Sequence, residues 1–156
     1  GLPPQPDRFF EKLQTHVLQQ GQGEISLARW QGKAIAASIF LRFGDQVMHK
    51  YAASDPDHLP LRANNLVMWE AIRHYATRGG DTLDLGKTAT WNKGLRRFKA
   101  GWGAQEKPLK YYRYNLRRNE FEQRSEMEHG WHTSVFSKMP LPALRLAGTV
   151  LYRHMG

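Results

Sequence analysis

Residues 24–52, EISLARWQGKAIAASIFLRFGDQVMHKYA, decide the fold class. Gln31-Gly32 and Gly44-Asp45 divide this stretch into three runs whose composition favours strands. The predicted strands are Glu24–Trp30, Lys33–Phe43 and Gln46–Ala52. Short turns that contain glycine usually join antiparallel neighbours, so the stretch predicts a three-stranded antiparallel meander. In the second strand, alternate apolar side chains share one face: Ile35, Ala37, Ile39, Leu41 and Phe43.

Helical patterns lie on both sides of the meander. Before it, Asp7 can cap a helix that runs to about Gly21. After it, Asn64 or Asn65 can cap a second helix, which Gly79-Gly80 ends. This second helix is apolar over most of its surface. We therefore expect it to pack on the sheet and to be covered on another side as well.

The segments after the second helix predict a parallel connection. Thr82–Leu85 has the pattern of a short strand, about Asn92–Ala100 that of a helix, and Lys107–Arg117 that of a long strand. A helix between two strands implies a crossover, and hence parallel pairing somewhere in the sheet. In the tail, the acidic stretch Asn119–His129 can be helical, and Ala143–His154 predicts a last amphipathic helix.

Composition excludes several classes of protein. The 156 residues are 40% hydrophobic and 24% charged, which predicts a globular domain rather than a disordered chain. Because cysteine is absent, disulfides and thiolate metal sites are excluded, and a reducing cytoplasm suits the composition. No apolar run approaches the roughly 20 residues of a membrane-spanning helix. The seven histidines are scattered without a carboxylate framework, so we predict no metal.

The excess of positive charge is confined to one segment. The net charge is +9, and residues 87–118 contain ten Lys/Arg and a single acid, Glu106. On either side of this segment, basic and acidic residues cancel. A localised positive field attracts phosphate groups. The alternative is a solvated face that only keeps the protein in solution.

Three motifs occur in order along the chain: Asn64–Glu70 (NNLVMWE), Leu83–Lys87 (LDLGK) and Gly94–Ala104 (GLRRFKAGWGA). With the order of elements, they resemble the carboxyl-terminal domain of FemAB-like proteins, which belong to the GNAT superfamily of N-acyltransferases. The resemblance covers about Phe9 to Leu116. It implies a mixed α/β fold, with a mostly antiparallel sheet and helices on both faces. We expect the acyltransferase domain to span residues 1–118 and a helical tail, residues 119–156, to pack on it.

Two departures from the family pattern bear on organisation and on the donor. A GNAT domain normally starts with an extra strand and helix, so the resemblance leads us to expect that these are missing here and that a second GNAT-like domain lies upstream in a longer protein. Acetyl-CoA-dependent relatives place a Gln/Arg-x-x-Gly-x-Gly/Ala stretch before the buried helix, where backbone N–H groups hold the pyrophosphate. Here the stretch is Arg62–Val67 (RANNLV), without either glycine. Acyl-CoA and aminoacyl-tRNA both stay open as donors, and the missing glycines favour an aminoacyl or unusual acyl donor.

Lys99 and Tyr112 are the candidate catalytic residues. The resemblance implies that Lys99, which follows Phe98, lies at the reaction centre and offsets negative charge there. A fixed ammonium in a partly dry cleft can stabilise an oxyanion or a phosphate, so we expect the Lys99 amine to face an open groove. The alternative is that Lys99 only complements the dipole of the last helical turn. Tyr112 can act as a general acid, with packing in the core or on the surface as its alternative.

A wider set of residues is predicted to bind the donor. Basic side chains can hold donor phosphates, and aromatic ones can pack on an adenine or position the Lys99 stem. The alternatives are a solvated helix face for the basic residues and core packing for the aromatic ones. The candidates are Arg62, Asn64, Asn65, Lys87, Lys93, Arg96, Arg97, Phe98 and Trp102.

Three functional hypotheses follow from these residues. The leading one is a cytoplasmic transferase that moves an acyl or aminoacyl group onto an amine of a cell-envelope precursor or polysaccharide sugar, with tRNA as a partner if the donor is aminoacyl-tRNA. A second is a non-catalytic half whose Lys99 cleft docks the upstream domain. A third is an RNA-binding module that uses residues 87–118, with an affinity that falls as salt rises. None of them needs a transmembrane segment.

Overall fold

A four-stranded sheet with one long helix packed on it positions the candidate site. The computed structural model describes residues 4–122 and 139–151. The chain divides into two compact units, Gln14–Lys107 and Gly1–Leu13 with Pro108–Gly156. Within the described ranges, every helix is too short or too polar to cross a membrane.

The sheet lies in the unit Gln14–Lys107 and has the order β1-β2-β3-β4. Its strands are β1 Gly23–Trp30, β2 Lys33–Phe43, β3 Gln46–Ser54 and β4 Thr82–Asp84. The first three pair antiparallel and β4 pairs parallel to β3, so the predicted meander and the mostly antiparallel mixed sheet are confirmed. A π-helical turn, Gln14–Leu18, precedes β1.

The parallel connection between β3 and β4 runs through two helices. A 3-10 helix, Pro56–Leu61, leads into helix α2, Ala63–Ala76. The prediction placed the crossover one helix later in the chain, between Thr82–Leu85 and a long strand, and that placement is wrong. It fails because, in residues 4–122 and 139–151, no further strand of this sheet follows the helix after β4.

Helix α2 covers one face of the sheet, and the core lies between them. Fully or nearly fully buried apolar side chains come from both layers: Ala28, Ile35, Ala36, Phe40, Val47, Ala63, Val67, Met68, Ala71 and Tyr75. The Phe40 ring has no exposed surface and lies 5.9 Å from that of Tyr75. The alternation identified in β2 therefore marks its less buried face, where Phe43 is 87% exposed. Ile35 is the exception on that face.

Helix α2 begins and packs differently from the prediction. Its N-cap is Arg62, in the left-handed conformation with φ 52°, and no side chain caps its first turn. Capping by Asn64 or Asn65 is therefore wrong, because the preceding 3-10 helix already ends at Arg62 and both asparagines lie inside α2. The sheet-facing side is buried as predicted. On the outer side Leu66 and Trp69 are about half exposed, so the second covering is not found in the part of the chain that the structure describes.

Strands β3 and β4 separate soon after they meet. Their pairing runs only from Gln46↔Thr82 to Met48↔Asp84. Strand β3 continues to Ser54 paired with β2, so beyond Met48 its other edge has no strand partner among the described residues. A bulge falls at the same place, because Ile39 pairs with Tyr51 and Phe40 with His49, which leaves Lys50 as an extra residue. Bulges redirect side chains and are frequent beside active sites.

The described residues of the second unit form two helices and a hairpin. Helix α1 is Asp7–Leu13, shorter than the predicted helix to Gly21 because the chain changes to the π-helical turn. The hairpin pairs β5, Arg113–Asn115, with β6, Glu120–Glu122. The last predicted helix is present as Leu141–Leu151, called α4 below, and residues 152–154 of the prediction lie outside the described residues.

The long strand predicted over Lys107–Arg117 is wrong, because only Arg113–Asn115 forms a strand. The Oδ1 of Asn115 accepts hydrogen bonds from the backbone N–H groups of Arg117 (3.0 Å) and Arg118 (3.2 Å). Asparagine favours such turns, so the chain reverses there instead of extending.

The helix considered for residues 119–129 is wrong at its start, because Glu120–Glu122 is a strand paired with β5. Asn119 has φ 56°, a left-handed conformation that asparagine tolerates and that completes the turn into this strand. Residues 123–129 lie outside the described part of the chain.

Candidate active site

Lys99 is held at the end of β4 by backbone carbonyls. It lies on helix α3, Lys93–Ala100, and its side chain is half-buried. Its Nζ donates hydrogen bonds to the backbone oxygens of Gly86 (2.6 Å) and Lys87 (3.4 Å). The amine therefore points back to the segment that follows β4 and not into bulk solvent.

Burial and the charge of Asp84 have opposite effects on the pKa of Lys99. Desolvation lowers the pKa of Lys99, and the negative charge of Asp84 acts in the opposite direction to raise that pKa. The Asp84 Oδ1 also accepts a hydrogen bond from the backbone N–H of Gly86 (2.7 Å), which fixes the turn that presents the Gly86 carbonyl. A partly desolvated ammonium acts on a nearby negative charge more strongly than one in water.

His49 is a residue of this site that the sequence analysis did not single out. It is the first β3 residue past the last pair with β4. Its Nε2 lies 3.1 Å from the Oγ of Ser38, and its ring stacks on Phe40 with centroids 4.9 Å apart. Burial lowers the pKa of His49, and the charge of Lys99 lowers that pKa further, so the two side chains are electrostatic neighbours. Strand alternation places His49 on a face of β3, but no sequence signal links it to Lys99.

Three of the predicted donor-binding residues lie at the N-terminus of α2. Arg62 is exposed at the cap, Asn64 is half-buried and Asn65 is exposed. The Oδ1 of Asn64 is buried and has no hydrogen-bond partner among the described residues. An uncapped helix N-terminus favours an anion, because its N–H groups and dipole present partial positive charge.

The positions at which acetyl-CoA-dependent relatives carry glycine correspond to Asn65 and Val67. Both lie within α2, with Val67 buried against the sheet. The two positions that lack glycine in this chain therefore lie in a helix and not in an extended loop.

The basic candidates on and near α3 differ in their surroundings. Arg96 donates from Nε and Nη2 to the two carboxylate oxygens of Glu106, at 2.8 and 2.7 Å. The single acid of residues 87–118 thus pairs with one of the predicted donor-binding residues. Lys87, Lys93 and Arg97 are exposed, and the charge of Arg96 is offset by this bidentate pair.

Phe98 and Trp102 are half-buried and pack against the core. Their rings meet edge to face, with centroids 6.3 Å apart. This packing fits the alternative of core packing, and it also holds α3 against the core, so that the Lys99 stem is positioned. Contact with an adenine stays a prediction.

Tyr112 belongs to the compact unit that includes Pro108–Gly156, whereas Lys99 belongs to the unit Gln14–Lys107. It lies just before β5, is 75% exposed and contacts the Phe121 ring edge to face, with centroids 6.2 Å apart. Its role as a general acid stays a prediction.

Neither of two surface depressions coincides with these residues. The larger, of about 210 Å³, lies along the outer edge of α2 and is lined by Glu70, Arg73, His74 and Thr77. The smaller, of about 40 Å³, is lined by Gln5, Pro6, Asp7, Arg145 and Thr149. The contacts of Lys99, and not cavity size, therefore define the candidate site. In residues 4–122 and 139–151, His, Asp and Glu side chains form no group of three that could hold a metal ion.

Solved structures with the same fold are N-acetyltransferases. The ribosomal-protein-S18-alanine N-acetyltransferase from Escherichia coli is 17% identical, with 76% of this chain and 72% of that chain covered and a TM-score of 0.59. Aminoglycoside N-acetyltransferase AAC(6')-Iy in complex with CoA is 15% identical, with 70% and 88% covered and a TM-score of 0.56. AAC(6')-Iy in complex with the bisubstrate analog CoA-S-monomethyl-acetylneamine is 17% identical, with 73% and 84% covered and a TM-score of 0.61.

Sequence comparison identifies the family. No curated protein matches the chain. The profile described as "Acetyltransferase (GNAT) domain" matches residues 1–106, which is more than half of the 156 residues and includes the sheet, α2, α3 and Lys99. The chain belongs to the GNAT acetyltransferase family.

Proposed function

We propose that this chain transfers an acyl group from acyl-CoA to an amine, at the place where β3 and β4 separate. The observation that carries the proposal is the Lys99 amine, which is half-buried and held on the Gly86 and Lys87 carbonyls beside that separation. Membership of the GNAT family supports acyl transfer to nitrogen as the class of reaction.

Lys99 supplies a donor for the charge that develops during acyl transfer. Attack on a thioester puts negative charge on the carbonyl oxygen. An ammonium has three N–H donors, and the described residues use two of those of Lys99, on Gly86 and Lys87, so the third can serve a ligand. Beyond Met48, the described residues provide no strand partner for β3 on the side where β4 pairs with it. We assign Lys99 to stabilising the oxyanion.

The start of α2 supports acyl-CoA as the donor. Its first turn has no side-chain cap, and the Arg62 guanidinium is exposed next to it. These groups suit a pyrophosphate even without the family's glycines. The Asn64 amide, whose oxygen is buried without a partner among the described residues, can bond a polar group of the same ligand. Lys87, Lys93 and Arg97 complete the proposed donor-binding set.

The acceptor that we propose is an amine of a cell-envelope precursor or of a polysaccharide sugar. Its support is the FemAB-like pattern of the three motifs, above all Phe98-Lys99 followed by Trp102-Gly103. The FemAB-like assignment and a second GNAT-like domain upstream are part of the same proposal.

A thiol-release assay tests the donor and the reaction together. The chain contains no cysteine, so free thiol formed from acetyl-CoA is not obscured by the protein. We expect the 156-residue chain to release CoA when given glucosamine, Nα-acetyl-lysine amide, neamine or an alanine-ending peptide, with one amine preferred. The measurement is the rate with amine minus the rate without it. Turnover with charged tRNA and none with acetyl-CoA would contradict the donor, and turnover with neither would contradict the reaction.

A further inference from the structure

His49 occupies the point where β3 leaves β4, on the same face of the sheet as the core. It pairs directly with Phe40, so both side chains lie on the face that α2 covers. It also borders Gly86, because a Cβ on that glycine would come within 3.7 Å of the His49 backbone oxygen. His49 is thus adjacent to the segment whose carbonyls hold Lys99.

Two neighbours fix the orientation of the imidazole. Phe40, with no exposed surface, supports one face of the ring at 4.9 Å. The Ser38 hydroxyl lies 3.1 Å from Nε2. Ser38 is itself only 4% exposed, so it is too buried to attack a substrate and serves instead to orient the ring. When Nε2–H donates to Ser38, Nδ1 carries the lone pair.

Burial and the neighbouring Lys99 cation both favour the neutral form of this imidazole. Burial lowers the pKa of His49 below its ordinary value of 6.5, and the ammonium of Lys99 on α3 lowers that pKa further. On α2, the group packed against Phe40 is the Tyr75 phenol, whose pKa burial raises to about 12, so it is uncharged at neutral pH. Asp84 on β4 acts on Lys99 by raising the pKa of that amine. A neutral imidazole at pH 7 can accept a proton.

We propose that His49 is a catalytic residue that accepts a proton from the acceptor amine, an assignment that rests on the proposed function. The amine arrives as an ammonium and gives one proton to His49 Nδ1. Its nitrogen then forms a bond with the thioester carbonyl carbon. When the C–S bond breaks, the CoA sulfur leaves with the electron pair and takes the second excess proton from nitrogen. His49 releases its proton to solvent, which the neighbouring Lys99 cation favours.

The test is the pH dependence of kcat/KM for His49→Gln, with acetyl-CoA and the amine of the panel above that gives the highest turnover. Glutamine keeps a hydrogen-bonding group near Ser38. At pH 7 we expect a loss of about 100-fold or more. In the parent chain, kcat/KM levels off above the His49 pKa, which lies below 6.5. In the variant it should keep rising about tenfold per pH unit up to the pKa of the amine, since only free amine reacts.

The control is His74→Gln, which changes another half-buried histidine of the same unit; His74 contacts Glu24 at 2.9 Å and has no role in the proposed reaction. It should retain the parental rate and profile. A parental rate and profile in His49→Gln would overturn the role of His49 and leave the proposed function standing. Absence of turnover by the parent chain on every amine would overturn the proposed function itself.

NMR titration of the histidine rings adds a measurement that does not depend on turnover. We expect the pKa of His49 to lie below 6.5 and to rise in Lys99→Met, because the neighbouring positive charge is removed. A His49 pKa above about 7 in the parent chain would overturn the proposal, because the ring would then be largely protonated at neutral pH.

Discussion

Replacing Lys99 with methionine should lower kcat/KM for acetyl transfer about 10²- to 10³-fold, the loss usual for an oxyanion-stabilising donor. Methionine keeps most of the apolar stem but removes the ammonium that bonds Gly86 and Lys87. The loss should appear in kcat more than in KM, because the contact strengthens as negative charge develops. The measurement is steady-state kinetics by thiol release at pH 7.

Lys12→Met is the matched control for charge and side-chain length. Lys12 is exposed in the last turn of α1 and has no role in the proposed site. It should leave kcat/KM unchanged, and circular dichroism should show both variants folded. If folded Lys99→Met retains the parental kcat/KM, Lys99 has no part in the reaction. The presence of a lysine there would then be explained by its favourable interaction with the dipole of the last helical turn.

Replacing Phe40 with alanine should lower the free energy of unfolding by about 3–5 kcal/mol, the usual cost of removing a buried phenylalanine ring. Phe40 has no exposed surface and contacts both Tyr75 of α2 and His49 of β3. The change would therefore leave a cavity between the sheet and the helix that covers it. Urea denaturation followed by circular dichroism measures the loss.

Phe43, three residues further along the same strand, provides the comparison. It is 87% exposed, so Phe43→Ala should change the free energy of unfolding by less than about 0.5 kcal/mol. Equal losses in the two variants would show that the even-numbered face of β2 is not the one that the core buries. That outcome would also contradict the stacking of the His49 ring on a buried Phe40.

The meander could be predicted because its signals are local. Gln31 and Gly32, with φ 48° and 81°, form the tight turn that their sequence favours, and the register of β1 and β2 follows from it. The choice of buried face could not be predicted in the same way. Apolar residues occupy both faces of β2, and α2 decides between them through tertiary contacts made by Val67, Met68 and Tyr75.

The errors in the second unit have a different cause. Alternating tyrosine and leucine around Tyr112 and Tyr114 favour a long strand, but the side chain of Asn115 captures two backbone N–H groups and turns the chain. Such a side-chain hydrogen bond competes with extension, and the pattern of apolar residues does not report it. Because this turn reverses the chain, Glu120–Glu122 pairs with Arg113–Asn115 as a strand, in a stretch that composition allowed to be helical.

The motif in the sequence could indicate Lys99 as a residue of the candidate site, but it could not indicate which residues surround Lys99. Contact with the Gly86 and Lys87 carbonyls depends on the turn that Asp84 holds after β4. His49 lies fifty residues away in the chain and comes close only because β3 and β4 pair in parallel before they separate. The pairing of Arg96 with Glu106 likewise follows from the fold after α3 and not from spacing alone.

Mass spectrometry of the acceptor amine after incubation with isotopically labelled acetyl-CoA tests the central claim most directly. The account predicts that the parent chain forms a labelled amide on the acceptor nitrogen and that Lys99→Met forms almost none in the same time. An acceptor without label after incubation with the parent chain, or equal labelling by both proteins, would contradict it.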